Sequence, residues 1–139
     1  MMRTLLLFGM ILAGCTADPP VPTQAQRVIE AHVAGFNARD IDAMRAAQHP
    51  EAEWLQVSGS DVSTVSSSRE DWNAAMTDLF DDPSDMRGSL RDWAVSGNRV
   101  AVVETASVLG EDGRRTSRDT LTAYEIEDGL IRRVWYFTE

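Results

Sequence analysis

The chain has 139 residues, 43% of them hydrophobic, which is enough for one domain with a buried core. Its 13 basic residues are all arginine and are outnumbered by 22 acidic residues, giving a net charge of −9. This balance excludes a basic surface for nucleic acid. Two separated histidines and one cysteine cannot supply a clustered zinc or iron–sulfur site. The acidic stretch "DDPSD" (81–85) lacks the ligand spacing of an EF-hand, so we expect no metal and no cofactor.

Residues 1–14 have the pattern of a signal peptide. Arg3 is followed by the apolar run "LLLFGMILAG" (5–14), which is about ten residues long, whereas a membrane-spanning helix needs ~20. The following "LAGC", Leu12 to Cys15, resembles the lipobox of bacterial lipoproteins. The resemblance implies that Cys15 becomes the lipidated first residue of the mature chain. The alternative is an ordinary secretory signal next to an unrelated cysteine.

Residues 15–22 form a proline-rich tether between this cysteine and the domain at 23–139. Several acyl chains would hold the chain at a membrane without spanning it. In Gram-negative cells, the lipoprotein resemblance together with Thr16 after the cysteine implies the periplasmic face of the outer membrane. We therefore expect a lipid-anchored protein of the bacterial cell envelope.

Three helices are predicted in the first half of the domain. Thr23 opens the first with the capping box "TQAQ", Asp40 opens a short second helix to about residue 47, and Ser68 opens a third to about residue 80. Apolar residues recur at helical spacing in the first and third helices. The buried stripes are Val28, Ile29, His32, Val33 and Phe36, and Trp72, Met76, Leu79 and Phe80.

The second half of the domain alternates with the period of two that is typical of strands. Gly97-Asn98 and Asp128-Gly129 are hairpin turn signals, so residues from 88 onward predict an antiparallel meander. "EAEWLQV" (51–57) predicts an earlier strand, and "SGSDVSTVSSS" (58–68) a loop or weak edge strand. Helices gathered before most of the strands indicate an α+β fold.

Two stretches carry a more specific resemblance. "VIEAHVAGFNARDIDAM" (28–44) resembles the opening, and "AYEIEDGLIRRVWYF" (123–137) the closing hairpin, of the nuclear-transport-factor-2-like superfamily, which includes SnoaL-like polyketide cyclases and ketosteroid isomerases. The resemblance covers about residues 23–139. It implies a cone-shaped, curved antiparallel sheet with three N-terminal helices closing a pocket.

The pocket residues of ketosteroid isomerases are not present here. Those enzymes carry a tyrosine, an aspartate base and a protonated aspartic acid, and the corresponding positions hold His32, Gln56 and Thr122. Isomerase chemistry of that kind is therefore not expected.

Strand register decides which carboxylate faces the pocket. A two-residue Gly97-Asn98 turn pairs Arg91 with Glu104 on the outer face and leaves Asp92 as the inward carboxylate. A shift by one residue would bring Glu104 inside instead. We favour the first register because it pairs opposite charges.

The last hairpin also has two candidate registers. A two-residue turn sets Thr122 beside Trp135, whereas a three-residue turn sets it beside Val134 and makes Tyr136 a pocket wall. The family resemblance favours the latter. The predicted ligand pocket comprises Trp54, Gln56, Trp72, Thr122, Tyr124 and Tyr136.

These residues favour a pocket that binds a small, partly apolar molecule. A second hypothesis is a cyclase-, isomerase- or hydrolase-type enzyme with His32 as general base and Asp92 or Tyr124 as its partner. A third is a homodimeric interaction module of the cell envelope that uses the outer sheet face. The apolar strip predicted there comprises Trp93, Val95, Val100 and Val102.

Overall fold

The computed structural model describes residues 20–139, which form three helices and one six-stranded sheet. The elements, in chain order, are α1 (Gln24–Ala38), α2 (Ile41–Ala46), β1 (Gln48–Ser58), β2 (Asp61–Ser66), α3 (Arg69–Asp81), β3 (Arg87–Ser96), β4 (Arg99–Leu109), β5 (Arg115–Glu127) and β6 (Leu130–Thr138). The predicted α+β fold, with three helices and a curved sheet, is confirmed.

Side-chain caps fix where the helices begin. The Thr23 hydroxyl accepts a hydrogen bond from the backbone N–H of Gln26 (3.1 Å), and the Gln26 side chain accepts one from the N–H of Thr23 (2.8 Å). Asp40 and Ser68 cap α2 and α3 in the same way. Each cap satisfies a backbone donor that has no partner inside the helix, so all three predicted N-termini are confirmed.

The strand order is β2-β1-β6-β5-β4-β3, and every neighbouring pair is antiparallel except β1 and β6, which are parallel. The serine-rich segment forms the edge strand β2, one of the two alternatives that the sequence left open. The helices cover one face of the sheet, which we call the inner face. The core lies between them and includes the fully buried Ile29, Trp54, Ile131 and Val134.

A β-bulge in β3 corrects the register predicted for the first hairpin. Near the turn, Val95 pairs with Val100 as a two-residue turn requires, but the alignment shifts between Arg91 and Ala94. Beyond that bulge Arg91 pairs with Val103 instead of Glu104. An extra residue in one strand shifts every pair beyond it by one position, compared with counting from the turn. The predicted Arg91–Glu104 pair is therefore wrong, and Glu104 faces inward.

A second bulge corrects both registers considered for the last hairpin. Glu127 pairs with Leu130 across a two-residue turn, but the register then shifts at Arg132. As a result Thr122 lies opposite Tyr136, and neither Val134 nor Trp135 is its partner.

The apolar strip predicted on the outer face is also corrected. Val100 and Val102 are 2% and 0% exposed and belong to the core, and Trp93 packs against it. Of the predicted strip, only Val95 is substantially exposed, at 39%. The predicted register assigned alternate residues of β4 to the wrong face, so it placed these valines on the outer face together with Glu104.

The predicted signal peptide and Cys15 lie outside the described residues. The part of the tether that is described, 20–22, is exposed and has no regular secondary structure. Among residues 20–139, no helix is both long and apolar enough to cross a membrane.

Candidate functional site

A cavity of about 220 Å³ lies between the helices and the inner face of the sheet. Most of its wall is apolar, and its polar side chains include those of His32, Arg87, Ser89, Glu104 and Thr105. The apolar and aromatic lining comprises Val33, Phe36, Met44, Trp72, Met76, Leu79, Met86, Leu90, Tyr124 and Tyr136. A concave, mainly apolar site with few polar groups is the usual form of a small-molecule pocket.

Glu104 is the carboxyl group of this cavity. It projects from β4, half-buried, and its Oε1 accepts a hydrogen bond from the Tyr124 hydroxyl on β5. Burial raises the pKa of Glu104 above its ordinary value, and the Tyr124 hydrogen bond opposes this only in part. The pKa of Tyr124 is raised well above its usual value, first by burial and then by the charge of Glu104. Tyr124 therefore remains a hydroxyl donor.

His32 lies on α1 at the base of the cavity and is only 6% exposed. The distance from its Nε2 to Nε2 of Gln48 is 2.9 Å, and Oε1 of Gln48 accepts from Nδ2 of Asn73 at 2.9 Å. Because the Asn73 bond fixes the Gln48 amide, Gln48 donates to His32, whose neutral ring carries its proton on Nδ1. Burial lowers the pKa of His32 to about 4. His32 is thus uncharged at neutral pH, and its Nε2, the nitrogen without a proton, already accepts the hydrogen bond from Gln48.

Aromatic rings form one wall of the cavity. Trp72 of α3 stacks on Trp54 of β1 with a centroid distance of 4.5 Å and an interplanar angle of 2°, and it lies 6.4 Å from the Tyr136 ring. The Trp72 indole N–H is buried and has no hydrogen-bond partner among the described residues. Such a donor is rare in a native core.

Arginines hold the α3–β3 loop, which runs into the cavity wall at Met86. The Arg39 guanidinium donates to the carbonyls of Phe80, Asp82 and Ser84. Asp85 is bonded to Arg115, and the hydrogen bond from Arg115 lowers the pKa of that carboxyl. These contacts hold in place the α3–β3 loop, which forms this part of the cavity rim.

The structure separates the predicted site residues into three groups. His32, Trp72, Tyr124 and Tyr136 line the cavity, whereas Trp54 and Thr122 are fully buried and do not belong to its lining. Gln56 is exposed, donating to the Thr138 hydroxyl at 3.1 Å, and is not part of the wall. Asp92 is exposed at the bulge, with a φ of 57° and a bond from Arg91. The prediction of Asp92 as the inward carboxylate is wrong because the bulge turns it out.

The predicted register places Glu104 on the outer face, and the predicted pocket omits the three methionines of the wall, of which only Met76 is predicted to be buried. The signal for Glu104 was present, since Val100, Val102 and Glu104 alternate with a period of two and the valines are better suited to a core. Met44, Met76 and Met86 come from three different segments and meet only in the fold.

One group of described residues, His49, Glu127 and Asp128, brings three ligand-type atoms within 4.8 Å of one another. Nδ1 of His49 already accepts a hydrogen bond from the backbone N–H of Glu51 (3.1 Å). Nδ1 is therefore already engaged by a hydrogen bond within the chain, and no buried polar group points to a ligand here. We assign no metal to this group.

The family profile described as "SnoaL-like domain" matches residues 29–134, which is most of the chain. The chain belongs to the SnoaL-like domain family. The match begins within α1 and ends within β6, so it includes most of the described fold. No curated protein gives a significant match to the chain.

Solved structures share the fold of this SnoaL-like domain. TerC, co-crystallised with polyporic acid, is 22% identical with a TM-score of 0.64, and the alignment covers 84% of this chain and 92% of that one. An epoxide hydrolase from M. tuberculosis, described as LEH-like, is 16% identical with a TM-score of 0.67 and coverage of 84% and 83%. IdmH from Streptomyces antibioticus, a putative polyketide cyclase, is 21% identical with a TM-score of 0.66 and coverage of 82% and 91%. Identities this low establish the fold alone.

Proposed function

We propose that the domain binds a small, partly apolar molecule in the cavity beneath its helices. The observation that carries the proposal is the cavity itself. It encloses about 220 Å³, its wall is mainly apolar, and Glu104 and Tyr124 contribute a hydrogen-bonded polar pair to it. An engineered cavity of ~150 Å³ holds benzene, so this one has room for a ring with a short polar substituent. TerC, a fold neighbour, was crystallised with an organic ligand, polyporic acid.

A pair of matched variants on β4 tests this proposal. Ala106 lines the cavity, whereas Ala101 on the same strand faces the other side of the sheet. Ala106→Phe should fill the cavity and weaken binding of a neutral one-ring probe, phenethyl alcohol, by about tenfold or more, the effect of ~1.4 kcal/mol of lost contact. Ala101→Phe should leave binding unchanged. Binding is followed by tryptophan fluorescence and calorimetry on the full chain. Equal binding by both variants, or no binding by the wild type, would contradict the proposal.

A second candidate function is acid–base catalysis by Glu104, and the placement of that carboxyl favours it over the predicted His32. A carboxyl whose pKa is raised by burial is suited to proton transfer, whereas Nε2 of His32 is engaged by Gln48. If a bound ligand is turned over, Glu104→Gln should reduce kcat by about a hundredfold or more while binding remains. His32→Gln should retain turnover. If His32→Gln lost kcat while Glu104→Gln kept it, His32 would be the acid–base group instead of Glu104.

We also propose that the chain is anchored in the bacterial cell envelope by acyl chains on Cys15, on the periplasmic face of the outer membrane in a Gram-negative cell. The support is the short apolar run before "LAGC" and the proline-rich tether after it. Metabolic labelling with a palmitate analogue should mark the wild-type chain and not Cys15→Ala. Equal labelling of both would refute lipidation at this residue.

A homodimer through the outer sheet face is the last candidate, and the register supplies an apolar row for it. Val103, Leu121, Phe137, Val57 and Val62 lie side by side across five strands. Leu121 is 50% and Phe137 42% exposed. We call these five residues the outer apolar row. Light scattering should give twice the chain mass, reduced to one chain by Leu121→Glu. A wild-type monomer at high concentration would remove this candidate.

A further inference from the structure

We infer that the preferred ligand of the cavity is a monocation, a small aromatic or aliphatic amine whose ammonium group pairs with Glu104. The inference rests on the proposed function, since it names the chemical class that the same cavity selects. Its basis is that Glu104 is placed in an apolar, aromatic wall without a cation of its own.

The other partly buried carboxylates of the described chain have arginine partners. Glu53 is bonded to Arg132 at 3.0 Å and to Arg133 at 3.2 Å, and Glu125 also contacts Arg133. Glu104 forms no ion pair with any arginine of residues 20–139, and its hydrogen bond comes from the neutral Tyr124. Burying an unpaired charge costs free energy. Glu104 lacks a positive partner within the described chain, and a cationic ligand can supply one.

The groups around Glu104 do not supply that charge. From β5 and β6 it faces the hydroxyls of Tyr124 and Tyr136, both with pKa values raised well above the usual. From α1 it shares the cavity with His32, which is neutral at pH 7. Arg87 lies on the cavity wall at the start of β3, but its side chain is largely exposed and bonded to Asp85 at 3.0 Å.

The rest of the wall suits a cation better than an anion. The aromatic residues Trp72, Tyr124, Tyr136 and Phe36 line the same cavity, and aromatic rings attract ammonium groups within about 6 Å. The net charge of −9 also favours the approach of cations over anions. The volume limits the organic part to about one ring and a short chain.

Three probes of nearly equal shape test the inference: phenethylamine, phenethyl alcohol and phenylacetate, which are a cation, a neutral molecule and an anion. Calorimetry on the full chain at neutral pH should show phenethylamine binding at least about tenfold more tightly than the alcohol, and phenylacetate most weakly. Acidification should weaken binding of the amine more than that of the alcohol, because it protonates Glu104.

Two matched substitutions locate the effect. Glu104→Gln keeps the shape and the acceptor for Tyr124 but removes the charge, so the preference for the amine should disappear while the alcohol still binds. Glu111→Gln removes the same charge from an exposed loop and should leave the preference intact. Equal affinities for amine and alcohol in the wild type, or a preference that survives Glu104→Gln, would overturn the inference and leave the proposed function standing. Failure of all three probes to bind would overturn both.

Discussion

The buried imidazole of His32 should make the domain lose stability in acid over a defined pH range. Burial lowers the pKa of His32 in the folded state to about 4, while in the unfolded chain it has its ordinary value of 6.5. Between these values the unfolded state binds more protons than the folded state, so the free energy of unfolding falls as the pH falls. The stabilisation is complete above about pH 6.5 and is lost on acidification to about pH 4.

The size of the loss follows from the two pKa values. At about 1.4 kcal/mol per pH unit, the interval from 6.5 to about 4 corresponds to ~3 kcal/mol, of which ~2 kcal/mol is lost by about pH 5. The side chain is only 6% exposed, so solvent screens little of this effect. For a small domain with ~5 to 15 kcal/mol of total stability, the change is large.

Urea denaturation followed by tryptophan fluorescence at a series of pH values measures it. His32→Gln retains an acceptor for the Gln48 amide but cannot be protonated, and subtracting its stability curve from the wild-type curve removes the contribution of the carboxylates. His49→Gln is the matched control, because it removes the other histidine of the chain without touching the His32–Gln48–Asn73 hydrogen bonds. A difference between wild type and His32→Gln that stays constant from about pH 7 to about pH 4 would refute the assignment of a buried, neutral His32.

Three further substitutions test other parts of the account. Glu104→Gln should raise the free energy of unfolding at neutral pH and have less effect in acid. The pKa of Glu104 is raised in the folded state, so its ionised carboxylate destabilises the fold as the pH rises above the ordinary glutamate range. A lower free energy of unfolding for the variant at neutral pH would contradict this. Gly35→Ala should cost about 1 to 3 kcal/mol in the same assay, since its Cβ would lie 3.0 Å from the backbone nitrogen of Met44; a neutral result would show that α1 and α2 separate easily. Arg39→Met should release the α3–β3 loop, with faster proteolysis within 81–86 at nearly unchanged global stability; unchanged cleavage would show that other contacts suffice.

Local signals in the sequence predicted the elements well. Thr23, Asp40 and Ser68 define helix starts because capping depends on residues three positions apart. The turns at Gly97-Asn98 and Asp128-Gly129 are equally local, and both glycines have positive φ values, 59° and 75°.

The inner face was harder to predict because bulges change the register without a clear sequence signal. One bulge, at Asp92, turned a carboxylate outward and made the Arg91–Glu104 pairing misleading. The other, at Arg132, placed Tyr136 opposite Thr122. A charge pair is a weak guide to register, since exposed ion pairs contribute little, whereas burial of Val100 and Val102 contributes several kcal/mol. The alternation of apolar residues was the stronger signal.

The cavity itself depends on contacts between distant segments. Met44, Met76 and Met86 come from α2, α3 and the loop before β3, and no local spacing brings them together. That the pocket is open and not filled by its own side chains is likewise a property of packing, which the sequence pattern does not contain.

The central claim is that the cavity takes up a small, partly apolar molecule, and methyl-labelled methionine offers the most direct test. The chain is labelled with ¹³C at its methionine methyl groups and titrated with phenethyl alcohol, the neutral one-ring probe, while the NMR signals of Met44, Met76 and Met86 are followed. These three signals should shift together along one saturable curve, and Ala106→Phe should abolish the shifts while Ala101→Phe should not. If the three signals remain unmoved at high concentrations of phenethyl alcohol, or shift equally in Ala106→Phe, the cavity is not a binding site.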